Sequence, residues 1–202
     1  MDLQETTLRV QSALASETRM LRFRDGDRPD EPDHVPDEVS VLVADGSPAP
    51  GFTSYSTLDL ARFPTNVADS EGRRVGSELI TVGRTAQRAF ADVLSRCAFA
   101  VAGGSLHVMP LTLIPDAVDA AEPGHTMRHV LLVLPFIWPE LEILVEEEAT
   151  ADAPAAVTTW LQVAPISDEE FRYATDHGAQ SLFDRLEQSG ADVSDLDRDS
   201  VI

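Results

Sequence analysis

The chain contains no lysine: all 15 basic residues are arginine, set against 35 acids, and the formal charge is −20. Schiff-base chemistry and lysine-held phosphate are therefore ruled out. Such an acidic surface repels phosphodiester backbones and anionic lipid, so nucleic acid and membranes are poor partners. The arginine-only bias is read as codon usage in a GC-rich genome, with a salt-adapted host as the second explanation. Cysteine occurs once, as Cys97, which forms no internal disulfide and is too few for a structural zinc site. Long apolar runs are missing too. The longest, Val130 to Trp138, falls well short of the roughly 18 to 20 residues that cross a bilayer. Residues 1–20 lack the uninterrupted apolar centre of a secretory signal, and the expected location is the cytoplasm. No G-x-S-x-G elbow, phosphate-binding glycine loop, G-x-G-x-x-G turn or H-E-x-x-H helix occurs.

What is present is an ordinary globular composition, 43% hydrophobic and 25% charged, enough to build a core. The 202 residues fit one domain. Leu3 to Ala15 reads as an N-terminal helix and Met20 to Arg24 as a short strand, followed by an acidic, proline-containing surface loop from Asp25 to Asp37. Val39, Val41 and Val43 alternate, as does Phe52 to Leu58, which predicts neighbouring strands. Ser77 to Val82 is a further strand. The clearest helix spans Arg84 to Ala102, where Ala86, Phe90, Val93, Leu94, Cys97 and Val101 recur near the helical period. Leu106 to Ile114 is β-prone but broken by Pro110, and Pro115 to Gly124 reads as an exposed acidic loop. Val130 to Leu134 is apolar at every position, which predicts a strand covered on both faces. Leu141 to Val145 and Val157 to Pro165 are two more strands. Ser167 followed by Glu170 forms a capping box for a helix ending at Gly178, and a second short helix stops at Gly190.

Each chemically suggestive residue has a plain structural explanation. His125 and His129 have i, i+4 spacing, with Asp116, Asp119 and Glu122 upstream as conceivable oxygen ligands. Pro123 and Gly124 disfavour a helix there, so no metal site is assigned. His107 and His177 stand alone. Cys97 lies on the apolar helix face and reads as a buried structural thiol rather than a nucleophile. Glu146, Glu147 and Glu148 suggest a carboxylate cluster or a partner-facing patch, although three successive acids usually mark a solvated strand end. Trp160 alternates with Leu161 and Val163 and is read as a second core layer. No catalytic, metal or cofactor residue is assigned.

The segment Thr158-Thr159-Trp160-Leu161-Gln162-Val163-Ala164-Pro165-Ile166-Ser167-Asp168-Glu169-Glu170, with Gly178 and Leu182 beyond it, resembles the suppressor of fused family. Arg128-His129-Val130-Leu131-Leu132 with Pro135-Phe136-Ile137-Trp138 is similar to that family's central strand. Tyr55 to Leu60, Glu78-Leu79-Ile80 and Leu94 to Phe99 resemble its early strand and turn, next strand and long helix. The tail Asp197 to Ile202 looks like its closing, arginine-bearing strand. The resemblance implies one α/β (α+β) domain like the N-terminal globular domain of the animal protein, a central mixed β-sheet flanked by helices. In that picture the domain spans 1–202, with 1–37 a variable helix, short strand and acidic loop, and 38–202 the family core.

The resemblance also implies a non-enzymatic binding module. Bacterial members look like immunity proteins that bind and neutralise toxins. The animal protein grips its peptide between two domains, using an acidic residue after the long helix; here no Asp or Glu occurs between Gly103 and Pro115, so the binding role carries over without ligand residues. The charge points independently to a cationic protein partner, steered by an acidic surface that includes Asp116, Asp119, Glu122, Glu146, Glu147 and Glu148. The alternative reading is an intracellular adaptor that binds an extended segment of an endogenous protein on an exposed strand.

Overall fold

The structure is a computed structural model and describes residues 3–24, 37–63, 65–84, 88–104, 106–141, 145–147 and 156–202. Its strands are β1 (Thr18–Arg24), β2 (Glu38–Asp45), β3 (Phe52–Thr57), β4 (Arg74–Arg84), β5 (Leu113–Ile114), β6 (Met127–Val133), β7 (Val145–Glu147) and β8 (Ala156–Ser167). The helices are α1 (Leu3–Leu14), α2 (Arg88–Ala102), α3 (Ala117–Ala121), α4 (Asp168–His177) and α5 (Ala179–Ser189). The sheet runs in the order β1-β2-β3-β4-β8-β6-β5, and β7 pairs with the beginning of β8. The β4–β8 pairing is parallel and the other pairings are antiparallel, so the sheet is mixed, as the family resemblance implied.

Strand periodicity sorts the side chains into two layers. Val39, Val41, Val43, Leu79, Leu161 and Val163 lie beneath α2, where Phe90, Val93, Leu94, Cys97 and Val101 complete one core. On the opposite face, Leu42, Ala44, Ile80 and Trp160 meet Val10 and Leu14 of α1 and Trp138. Farther along that face, Leu131, Val133, Ala164 and Ile166 are covered by Ala174 of α4 and Leu182 and Leu186 of α5. Trp160 is thus second-layer core. The true centre is β8, buried at all twelve positions, because both of its faces are covered by helices. Gly83 is required by close approach: a Cβ there would lie 2.4 Å from the Phe90 ring, the aromatic that seats α2.

Several boundaries differ from the sequence reading. The segment Pro115 to Gly124, expected as an exposed loop, contains α3, because Ala117 and Val118 bury themselves against α2. Arg84 ends β4, and α2 starts at Arg88. Leu141 closes a single 3-10 turn instead of opening a strand, and β7 begins at Val145. The tail from Asp197 forms no strand; it is held by side-chain bonds. The acidic loop lies outside the described residues, apart from Asp37. No helix among the described residues is long and apolar enough to cross a membrane.

One buried group runs against the logic of this core. Gln162 is fully buried in β8, and neither polar atom of its amide meets a hydrogen-bond partner among the described residues. Burying an unsatisfied amide costs about 1–3 kcal/mol. Gln162→Met, which keeps the unbranched shape and removes the polar atoms, is expected to raise stability by about 1 kcal/mol or more. An increased midpoint in urea unfolding with unchanged slope is the expected reading; a decrease would mean the amide has a partner role.

Candidate protein-interaction site

The acids named from sequence fall in two separate places. Asp116, in the left-handed conformation at φ 53°, starts α3. Its backbone N–H donates to Nδ1 of His129 at 2.9 Å, and that ring reaches Asp168 through Nε2 at 2.8 Å. Arg128 then links Asp168 and Asp119, at 3.0 Å to each. The cause lies in β6, where a bulge between Met127 and His129 places Met127 beneath α2 and turns His129 to the other face, its ring 4.4 Å from that of Phe171. This network ties α3, β6 and α4 together. The hydrogen bond from His129, reinforced by Arg128, holds the Asp168 carboxyl below the usual range, and the bonds to Asp119 and Asp168 push the Arg128 guanidinium up.

Asp119 is therefore engaged with Arg128, whereas Asp116 is 65% exposed. Glu122 follows α3 and lines a shallow groove with Phe23, Arg88, Asp92 and Arg96. There the Asp92 carboxyl is raised, first by burial and further by Glu122, against the opposing charge of Arg88. Glu146 and Glu147 lie in β7, described by its backbone pairing to Val157 and Ala156; Glu148 lies outside the described residues. His129 pairs with Ile166 near the far end of the same strand. Nine residues of strand, about 30 Å, separate the α3 acids from β7, so the structure does not bring the two groups into one patch.

Among the described residues, His129 and His125 are engaged and Cys97 is buried. Both ring nitrogens of His129 are engaged and the residue is 6% exposed, which leaves no nitrogen for a substrate proton. His125 bonds Asp197 at 3.0 Å, so the two histidines do not converge. Among the described residues, no group of three His, Cys, Asp or Glu side chains is arranged to hold a metal ion. Cys97 is wholly buried, and burial pushes its thiol up to about 12, far from a reactive thiolate.

Sequence reasoning missed one feature of the surface. A half-open, mostly apolar cavity of about 220 Å³ lies between α5 and the sheet, lined by Val133, Ala164, Phe183 and Leu186, with Phe136 and Glu187 at its mouth. Phe136 is 54% exposed and its neighbour Leu134 43%. The available signal was the long apolar run that overshoots β6: two bulky residues around Pro135 with no strand left to bury them.

Comparison with known proteins places this architecture. The family model described as "Suppressor of fused protein (SUFU)" matches residues 35–199. The chain is 30% identical over 171 residues to Immunity protein YqcF of Bacillus subtilis (strain 168), covering 84% of this chain and 85% of that one. A putative SUFU homologue from Neisseria gonorrhoeae superimposes with a TM-score of 0.67 at 15% identity, over 98% of this chain and 96% of the other. The Sufu–Fu complex gives 0.64 at 13% identity, over 98% and 91%. Drosophila Suppressor of Fused gives 0.56 at 15% identity, over 83% of this chain and 43% of the longer one. At such identities the superpositions speak for the fold, while the family match and the 30% relative carry the descent: this chain belongs to the suppressor of fused protein family.

Proposed function

We propose that this chain is a cytoplasmic, non-enzymatic immunity protein that binds a cognate bacterial toxin and blocks it by occlusion. The observation that carries the reading is its identity to Immunity protein YqcF across most of both chains. A protein-binding role also fits a structural neighbour described as the Sufu–Fu complex, and the engaged ring of His129 and the buried thiol of Cys97 argue against acid–base or thiol catalysis by those groups. The net charge of −20 steers a cationic partner and speeds association at low salt. Asp116, Asp119, Glu122, Glu146, Glu147 and Glu148 are the proposed steering acids. Because β7 and the acids of α3 are about 30 Å apart along β8, the two groups are tested separately.

The experiment co-expresses the chain with the product of the adjacent gene and follows growth, then measures affinity at low and high salt. Rescue of growth, with binding that weakens as salt rises, is expected. Serine replacements of Asp116, Asp119 and Glu122, or of Glu146, Glu147 and Glu148, are expected to lower affinity about threefold to tenfold for whichever group faces the toxin and to flatten the salt dependence. Unchanged affinity and slope in both variants would reduce the charge to a solubility device. The second reading, an adaptor for an endogenous protein, is favoured by the edge strand β5, which pairs on one side with β6 and offers its other edge to an extended segment. An adjacent gene without toxicity, together with a regulator recovered on β5, would select it.

A further inference from the structure

We infer that the cavity between α5 and the sheet is the docking site for a cationic segment of a partner protein, which inserts a bulky apolar side chain there. The inference rests on the protein-binding reading above and does not depend on the partner being a toxin. Its floor is Val133 and Ala164 of the sheet, its walls are Phe183 and Leu186 of α5, and Phe136 stands at the entrance. These residues belong to different elements that the fold already fixes, so the cavity is preformed.

Size and chemistry select the class of occupant. At about 220 Å³ the space is below the roughly 300–1,000 Å³ of sites that enclose small molecules, and it lacks the several convergent polar groups that orient one. Among the described residues, the charged one in the lining is Glu187. An apolar pocket of this volume, rimmed by exposed aromatic surface, is what an anchor side chain from another protein fills. Leu134 and Phe136 extend the apolar surface outside the cavity, which supplies the water-excluding contact around such an anchor.

Charge then fixes the sign of the partner. From Asp184 to Asp199 the sequence holds six acids and two arginines. Arg198 is paired with Glu170, and Arg185 is directed over α4 by its bond to the Tyr173 hydroxyl. Arg84 is engaged with Asp192. Glu187 lines the cavity, and Asp184 lies one helical turn before it; both are exposed on α5. A second copy of this acidic chain would bring like charges together there, whereas an arginine- or lysine-bearing segment pairs with them.

The test uses methyl-resolved NMR of the intact protein titrated with a short arginine-rich peptide that carries one tryptophan. Controls replace the tryptophan by serine, or the arginines by glutamate. The expected result is shifts concentrated at Val133, Ala164, Leu186, Ala191 and Val193, lost with either control and weakened by salt. Phe136→Ser is expected to reduce affinity about tenfold and Glu187→Arg about threefold, with the cooperative unfolding transition retained in both, since Phe136 is 54% exposed and Glu187 is exposed. Shifts centred elsewhere, no binding, or dilution-dependent shifts without peptide would overturn the inference; the last would assign the cavity to self-association. The two readings fail separately. If the adjacent toxin is neutralised equally well by Phe136→Ser and Glu187→Arg, the cavity is not the site and immunity stands. If no toxin is neutralised but the peptide maps to the cavity, immunity falls and the docking site stands.

Discussion

Replacing Arg198 by methionine will cost about 3–5 kcal/mol of folding stability, the range found when one member of a buried ion pair is removed. Glu170 has no solvent exposure on its side chain and Arg198 has 7%. The guanidinium donates to both carboxylate oxygens, at 2.7 and 2.8 Å, and to the carbonyl of Pro165 at 3.0 Å. Glu170 also accepts the backbone N–H of Ser167 in the capping box and that of Val201 from the tail. Removing the arginine leaves a carboxylate with no counter-charge at the start of α4. For a chain of this size the midpoint temperature should fall by roughly 10 °C. Arg198→Met combined with Glu170→Gln should recover part of the loss, because it removes the stranded charge, although the amide keeps only one of the two oxygens that accept from the Ser167 and Val201 backbones. Thermal and urea unfolding of the two variants decide the matter; a single variant as stable as the parent would show that the pair contributes no net stability.

The same substitution has a functional reading. The segment after α5 crosses three elements: Ser194 accepts from the Arg84 backbone, Leu196 accepts from the Met127 backbone, and Arg198 locks the end onto α4. Ala191 and Val193 in this segment line the cavity beside α5. Loosening its anchor is therefore expected to blur that wall, and binding at the cavity should weaken in proportion to the lost stability, unlike the Phe136 variant.

The elements legible in sequence were those whose periodicity reports one environment. Val39, Val41 and Val43 alternate because α2 covers one side of β2, and Phe90 to Val101 repeat at the helical period because one face of α2 meets the sheet. The Ser167–Glu170 box was readable because both partners lie within one turn. What escaped needed partners distant in sequence. Val118 looks like a lone apolar residue in an acidic loop until α2 packs on it. The binding of Arg128 to Asp119 and Asp168 depends on a bulge that sequence does not announce. The acids of α3 and β7 were grouped by charge alone, and strand length then set them apart. Phe136 was legible as part of an apolar run, but its exposure follows from where β6 stops.

Glu78 is a second buried carboxyl, and its effect should be a stability that declines as pH rises toward neutrality. It is 1% exposed on β4, accepting from the Ala61 backbone at 2.9 Å and from the Thr57 hydroxyl at 2.5 Å, with no arginine bonded to it among the described residues. Burial raises its carboxyl to about 7 from an ordinary 4.5, and nearby Asp59 adds to the rise. The folded state thus holds a proton that the unfolded state has released between these values. The contribution is fully present below 4.5 and lost as pH passes about 7, with an upper magnitude of about 3 kcal/mol. Asp168 and Asp197 act in the opposite direction: their carboxyls are held low by His129 and His125, so their contributions are present above the ordinary carboxylate range and lost in stronger acid. Maximum stability should lie on the acid side of neutrality. Glu78→Gln isolates the effect, because the amide cannot ionise and its oxygen can accept from the Ala61 backbone, while the Thr57 hydroxyl, which donates to the Glu78 carboxyl in the parent, can turn to the Leu79 carbonyl. Urea unfolding across this pH range should show parent and variant alike in mild acid and the variant more stable above neutrality. Relief of general acidic repulsion is nearly the same in both proteins, so the difference curve belongs to Glu78, and a flat difference would mean that its carboxylate is ionised in the fold.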